Sequence, residues 1–454
     1  LKFGDWYEQT LPDFNDAAVT NFDAELTKQG GIDVVAIVAA WDGNGVHTDR
    51  IVRKTWNGAK WSGPYFPDVV YSPFAGVDLV ERTIGGAEAF AQVFAGDLPD
   101  LGILELGSPP EVSVVMTRDL LATCLQDAMN LAFGWNVSPG SVEPAAIAYG
   151  LAGSTRYAIV DGAKLGDQIL VTDDSGNWTC QPLSPMLANV VPSVEGWPQT
   201  ADSHWPGFCV PDAFTDATGK LRMVFESDSG LPVLATKTEG QAWSFLALPS
   251  AGTTIPSPVE PLPAGAVERI GTVYVVRPGL GSEVTVLRLL YEVPTPAVAP
   301  ALSRFRVSDA AVESYDDLSE VVSAMCAASL LPGSSPAQAG DEIVCRTGTL
   351  DSATDACGRT HGLLAGPSGW SEYEGWRAWP SMLFDNLAGE WTGEPIPEIG
   401  IIEGGFRLLI TPDGAEHLLA KTSPVPPPYA SLEGWSAGFR LRHWIRPCAV
   451  PFSE

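Results

Sequence analysis

The stretch Asp212–Trp243, DAFTDATGKLRMVFESDSGLPVLATKTEGQAW, holds four strand-like segments separated by turn clusters at Ala217-Thr218-Gly219, Ser227-Asp228-Ser229-Gly230 and Glu239-Gly240. Alternating apolar and polar residues place successive side chains on opposite faces of a strand, while Gly, Asp and Ser supply the turn conformations. The stretch therefore predicts a four-stranded antiparallel meander ending at a tryptophan. Two further stretches, Val34–Trp61 and Arg156–Trp178, follow the same order of strand, turn and closing tryptophan.

The tryptophans themselves repeat. A Trp is followed six residues later by Pro at Trp6/Pro12, Trp61/Pro67, Trp243/Pro249 and Trp391/Pro397, and Trp178 has Pro185 one residue late. Trp370 and Trp435 sit in Gly-Trp-Ser settings without the proline. Trp6 and Trp435 are 429 residues apart, about 61 per unit for seven units. Repeated four-stranded sheets that pack on one another hide most of their strand edges, which is the logic of a β-propeller. The expectation is an all-β chain with one β-propeller domain over residues 1–454 and seven four-stranded blades, six or eight also fitting the spacing. Residues 1–12 are expected to form a closing strand, and about 298–391 one blade with an insertion. Trp61, Trp178, Trp243 and Trp435 are read as wedges between neighbouring sheets. The segments from Thr117 and from Asp316 carry helix-like caps but are read as strand pairs.

Composition narrows the function. With 26 Lys+Arg against 55 Asp+Glu the formal charge is −29, which argues against a nucleic-acid partner, since phosphate binding needs clustered cations. Apolar residues make up 45%, enough for a large core, and no run approaches the ~20 residues of a membrane-spanning helix. Leu1 is not an initiator methionine, so the chain reads as mature or trimmed, with an extracellular, cell-surface or periplasmic location expected. Of seven cysteines, Cys326 with Cys345, Cys345 with Cys357, and Cys180 with Cys209 are candidate disulfide pairs. No P-loop, dinucleotide fingerprint, HExxH or GxSxG occurs.

Two unit ends resemble the Asp-box (BNR-type) hairpin of sialidase-like propellers, Ser/Thr-x-Asp-x-Gly-x-x-Trp. Thr172, Asp174, Gly176 and Trp178 fit it with one residue missing, and Gly240 and Trp243 fit it with Thr238 in place of the Asp. The resemblance implies a hairpin in which Asp caps the turn, Gly takes a positive φ and Trp anchors the strands. Sialidase activity would further require an Arg-Ile-Pro start and an arginine triad. No Arg-Ile-Pro is present, and Arg156, Arg222, Arg277 and Arg407 read as surface or strand-edge cations.

Turns between second and third strands, with the connections between blades, are expected to share a binding face. They contribute Trp41, Asp42, His47, Asp161, Glu226, Asp228, Arg277 and His417, and the 195–208 connector adds Trp197, His204 and Trp205. Aromatic rings beside carboxylates and histidine suit a sugar, whose apolar face stacks while its hydroxyls are hydrogen-bonded. The sequence points to a non-catalytic propeller that binds a glycan or protein ligand. The alternatives are a hydrolase or lyase acting on polysaccharide and a structural subunit of an extracellular assembly. No catalytic residue, metal site or resident cofactor is assigned. The Asp42-Gly43-Asn44-Gly45 and 351–355 segments offer oxygens for calcium but read first as Asx turns.

Overall fold

The computed structural model describes residues 5–9, 11, 18–41, 47–65, 70–71, 77–81, 87–94, 99–105, 111–116, 119–120, 122–123, 144–162, 168–174, 176–182, 209–226, 232–249, 269–279, 281–293, 301–309, 311–329, 349–365, 380–385, 390–423 and 440–447. The chain falls into two compact units, Thr20–Ser250 and Leu1–Val19 with Ala251–Glu454.

In the unit Thr20–Ser250, Asp212–Thr215, Leu221–Glu226, Pro232–Lys237 and Ser244–Ala247 form the antiparallel meander expected from their sequence. Pro144–Ala152, Thr155–Gly162, Gln168–Asp174 and Asn177–Pro182 form a second. The strands between residues 18 and 116 form one nine-stranded sheet, containing the meanders 18–65 and 77–116. In the other unit, Arg269–Pro278, Val284–Val293, Ala301–Val307 and Val312–Asp317 pair in order, as do Thr349–Thr354, Thr360–Ala365, Ser381–Asp385 and Trp391–Pro395. The last sheet takes three strands from the C-terminal end, Ile401–Ile410, Glu416–Ser423 and Arg440–Arg446. Its fourth is Tyr7–Gln9, with Tyr7 opposite Ile445 and Gln9 opposite His443. An ion pair of 2.8 Å between Arg442 and Glu8 ties that strand on.

The fold is an all-β β-propeller. Its described strands make six sheets, correcting the expected seven, because Val70–Tyr71 hydrogen-bonds to strands on both sides and joins two meanders into the nine-stranded sheet. The segment 298–391, expected as one blade, holds the end of the 269–317 sheet, a helix and most of the 349–395 sheet.

That helix, Ser319–Ser329, overturns the strand reading of its segment. The Asp317 carboxylate accepts the Ser319 N–H at 3.0 Å and so caps the first turn. Leu318, Val322 and Met325, four and three residues apart, all bury on one side, a period a strand cannot satisfy. Met325 packs so closely on Gly393 that a Cβ there would lie 1.9 Å from its sulfur. In the segment from Thr117, Asp119, Leu120, Ala122 and Thr123 are likewise helical, again correcting the strand reading.

A repeat in the turns between first and second strands escaped the tryptophan count. Backbone N–H groups of Thr27, Asp216, Asp355 and Thr411 donate to the carbonyls of Gly31, Lys220, Arg359 and Ala415, four residues on, at 2.9–3.0 Å. The glycine at the third place, Gly30, Gly219, Gly358 or Gly414, has φ of 79–82°, which an L side chain rarely adopts. In three of the four turns the first residue's side-chain oxygen also caps the N–H four residues on (Gly31, Lys220 and Arg359).

Tryptophans mark the outermost strands, as expected. Trp61 and Trp391 begin theirs and Trp6 and Trp243 precede theirs by one residue. Trp243 meets Tyr157 of the adjacent sheet edge-on at 5.2 Å, and both pack on the apolar cluster shared by the 144–182 and 212–247 sheets. Trp391 packs on the cluster between the 269–317 and 349–395 sheets, and Trp6 on that between the 349–395 and closing sheets. Trp435 lies outside the described residues.

The 173–178 hairpin is not an Asp-box. Its carboxylate cap is Asp173, which accepts the Gly176 N–H at 2.7 Å, not Asp174, which is exposed. Asp173 pairs with Trp178 across the strands and Asp174 with Asn177, so the turn is one residue too tight for the motif.

Candidate functional site

The repeated turn fixes the residue six places after its start on the second strand, facing inward. That residue is Asp33, Arg222, His361 or His417, and all four are buried. A buried charge must be paired or hydrogen-bonded, so each of these positions seeds a polar cluster.

The densest cluster surrounds His361. Its Nδ1 hydrogen-bonds the Glu416 carboxylate, and its Nε2 lies 3.4 Å from Asp355 Oδ2. Glu416 also accepts from Arg446 Nε, and Arg446 Nη1 is 3.3 Å from Glu394. Arg359 donates to Asp355 at 2.5 Å. The Arg446 guanidinium lies 4.8 Å from the Trp6 ring and 4.9 Å from that of Phe384, so its flat faces are covered by aromatic carbon while its edges meet carboxylates.

Burial pushes the Asp355 carboxyl up, but hydrogen bonds from His361 and from Arg359 outweigh it and hold the group at about 2. Burial likewise raises Glu416, and His361 and Arg446 bring it below the ordinary range. Burial lowers His361, but the two carboxylates push it above 6.5. The two carboxylates favour the charged form of the imidazole held between them, and the cluster joins the 349–395 and closing sheets.

His417 is held differently. Its Nδ1 lies 2.9 Å from His443 Nε2, its Nε2 lies 3.2 Å from Thr411 Oγ1, and the two imidazoles stack at 5.1 Å. Burial holds His417 at about 4; burial and the neighbouring His417 hold His443 at about 3. Both rings are neutral at pH 7, with one N–H shared between them.

A third cluster spans three sheets. Asp351 accepts from Arg277 Nη2 at 2.5 Å, from the Leu408 N–H at 2.7 Å and from the Ser352 N–H at 2.8 Å. Arg277 also donates to the Ser352 carbonyl at 3.1 Å. Asp351 thus stands in a strand, and Asp355 makes the Asx turn of the expected 351–355 loop by accepting the N–H groups of Cys357 and Arg359.

Of the expected binding residues, Trp41 ends the second strand of its meander and His47 begins the third, and the two are register partners. Asp161 and Glu226 stand at the same end of their second strands. Arg277 and His417 do not: Arg277 ends a first strand and His417 begins a second, so both adjoin a first-to-second turn at the opposite end of their sheets. The shared binding face is corrected accordingly for these two. Asp42, Trp197, His204, Trp205 and Asp228 lie outside the described residues. Arg222, expected as a surface cation, is buried and donates to Thr236 at 2.8 Å. Arg156 is paired to Asp173 at 2.9 Å.

Cys357 is a free, exposed thiol, which corrects its proposed pairing with Cys345. Cys345 and the side chains of Cys209 and Cys326 lie outside what is described. Among the described residues, no three His, Cys, Asp or Glu side chains converge on a metal position, and no helix is long and apolar enough to cross a membrane.

Of this cluster only Asp355 is expected from the sequence, as the end of the 351–355 segment, while His361, Glu416 and Arg446 are assigned no role there. The signal that would have found the histidine is the turn itself: Asp355-Ala-Cys-Gly358-Arg-Thr-His361 repeats in Thr411-Pro-Asp-Gly414-Ala-Glu-His417 and in Asp216-Ala-Thr-Gly219-Lys-Leu-Arg222.

No protein-family model matches the chain, and no curated protein does either. Among solved structures, it is similar to the BP39L lectin from Burkholderia pseudomallei, at 12% identity over 97% of this chain and 100% of that one, with a TM-score of 0.46. It is also similar to an α-L-arabinanase from Penicillium chrysogenum, at 11% identity over 98% of both chains and a TM-score of 0.40. The NanB sialidase from Streptococcus pneumoniae matches at 9% identity over 98% of this chain and 70% of that one, with a TM-score of 0.40.

Proposed function

We propose that this chain is a non-catalytic binding propeller for a glycan or protein ligand, acting outside the cytoplasm. The observation that carries the reading is the geometry of the described carboxylates, which are engaged in ion pairs within and between sheets: Glu416 with His361 and Arg446, Asp355 with Arg359, Asp351 with Arg277. Asp355, Asp413 and Glu416, the described carboxyl groups with displaced pKa values, are all displaced downward, and each is held by hydrogen bonds or a cation. Acid catalysis at a glycosidic bond needs a carboxyl group raised toward neutrality, so that it carries a proton to give. These carboxylates instead hold neighbouring strands and sheets in place.

A scaffold stiffened in this way leaves recognition to its loops. Trp41 and His47 are register partners on neighbouring strands, and an indole with an imidazole is the pair of residue types suited to stacking on a pyranose and binding its hydroxyls. A cross-link between Cys180 and Cys209, the candidate pair of the sequence, would suit an oxidising compartment. A screen of immobilised neutral and acidic glycans tests the reading. Retention by the parent, with ~10-fold or greater loss in Trp41→Ala at unchanged melting temperature, supports it; an empty screen, or equal retention by the variant, overturns it.

A further inference from the structure

We propose that the seam between the 269–317 and 349–395 sheets is a binding site for ordered water molecules, built by one row of buried polar side chains. Thr354 stands opposite Thr360, and Asp385 stands opposite Trp391. His361 opposite Phe384 sets the register that places Thr360 beside Asp385. Cross-strand partners share a face, so Thr354, Thr360, Asp385 and Trp391 run across the sheet as one row. Arg304 faces that row from the neighbouring sheet, its Nη1 3.1 Å from Asp385 and its guanidinium 5.2 Å from the Trp391 ring. Ser352 stands two residues along, on the same face, opposite Gly362.

This row gathers polar atoms with no hydrogen-bond partner among the described residues. Thr354 Oγ1, Thr360 Oγ1, Ser352 Oγ, Trp391 Nε1 and Arg304 Nε are all enclosed and make no hydrogen bond to a described residue. Ser352 and Thr360 are wholly buried and Arg304 is 4% exposed. Each such group left unpartnered in a seam is destabilising, and five together would be a heavy cost for the apolar packing around them to offset. The chemistry of the set selects the ligand. Indole and guanidinium N–H groups only donate, the Asp385 carboxylate only accepts, and the hydroxyls do both. A halide could serve the donors but would meet the negative charge of Asp385. Water donates and accepts, and buried waters typically make about three hydrogen bonds to such groups.

The test is a pair of isosteric variants together with a high-resolution crystal structure of the parent. If water occupies the row, Thr354→Val and Thr360→Val each remove a liganding hydroxyl, and each lowers the melting temperature by about 2 °C or more. Density peaks then stand within hydrogen-bond distance of both hydroxyls. If the hydroxyls are unpartnered, the same variants raise the melting temperature or leave it unchanged, and the seam is dry; either result overturns the proposal. Crystals grown in bromide that show an anomalous peak at the row also overturn it, in favour of an anion site.

Discussion

Mild acid should unfold this protein through two histidines. His417 and His443 are buried and neutral, with pKa values of about 4 and about 3 against an ordinary 6.5. A group whose folded pKa is depressed keeps its full contribution above the unfolded pKa and loses it as pH falls toward the folded value. At ~1.36 kcal/mol per pH unit, the gaps from 6.5 down to about 4 and to about 3 correspond to on the order of 3 and 5 kcal/mol. Two unfolded-state protons give a slope of up to ~2.7 kcal/mol per pH unit below pH 6.5, large against the 5–15 kcal/mol of an ordinary domain. The window between pH 6.5 and 5 isolates the effect. The depressed carboxyl groups titrate in the unfolded chain mainly below that window, and His361, whose folded pKa is raised, contributes there with the opposite sign, so the double variant, which keeps His361, subtracts its contribution. Urea unfolding at pH 7.5, 6.5, 5.8 and 5.0 on the parent and on His417→Gln/His443→Gln measures it. The parent should lose stability steeply over this range while the double variant stays nearly flat. Parallel profiles for the two proteins would refute the argument.

His361 carries the opposite sign: its stabilisation is present below pH 6.5 and fades as pH rises through its raised folded value, so His361→Gln should remove an alkaline decline in urea midpoint seen in the parent. Asp351→Ala strands Arg277 and the Leu408 N–H and should cost about 3–5 kcal/mol by urea denaturation, whereas Asp351→Asn, which can still accept the Leu408 N–H, should cost less. Gly393→Ala drives a methyl into Met325 and should lose about 1–3 kcal/mol, recovered in part by adding Met325→Ala, as a double-mutant cycle would show. Deleting residues 1–12 removes the Tyr7–Gln9 strand and the buried Trp6 and Leu11, and should lower the melting temperature by several degrees.

The meanders were legible because their signals are local: alternation, a Gly or Asp turn, and a tryptophan at the outer strand, all within one run such as Asp212–Trp243. The helix at Ser319–Ser329 was legible in its cap and its Leu318, Val322, Met325 spacing, but the repeat argument outweighed that local signal. Arg277 and His417 were placed one strand out of phase because the tryptophan marks the fourth strand and nothing comparable was used to mark the first; the Thr27, Asp216, Asp355 and Thr411 turns do mark it. The His361 cluster was illegible for another reason. Glu416 and Arg446 lie 55 and 85 residues beyond His361 and meet it only through sheet packing, so no spacing motif announces them.

The central claim is binding without turnover, and the most direct measurement is mass spectrometry of a retained oligosaccharide or polysaccharide after prolonged incubation with stoichiometric protein. The account predicts that the ligand is recovered at its original mass while remaining retained by the protein. Shortened or unsaturated products, formed by the parent and abolished in Glu416→Gln or Asp355→Asn, would contradict it.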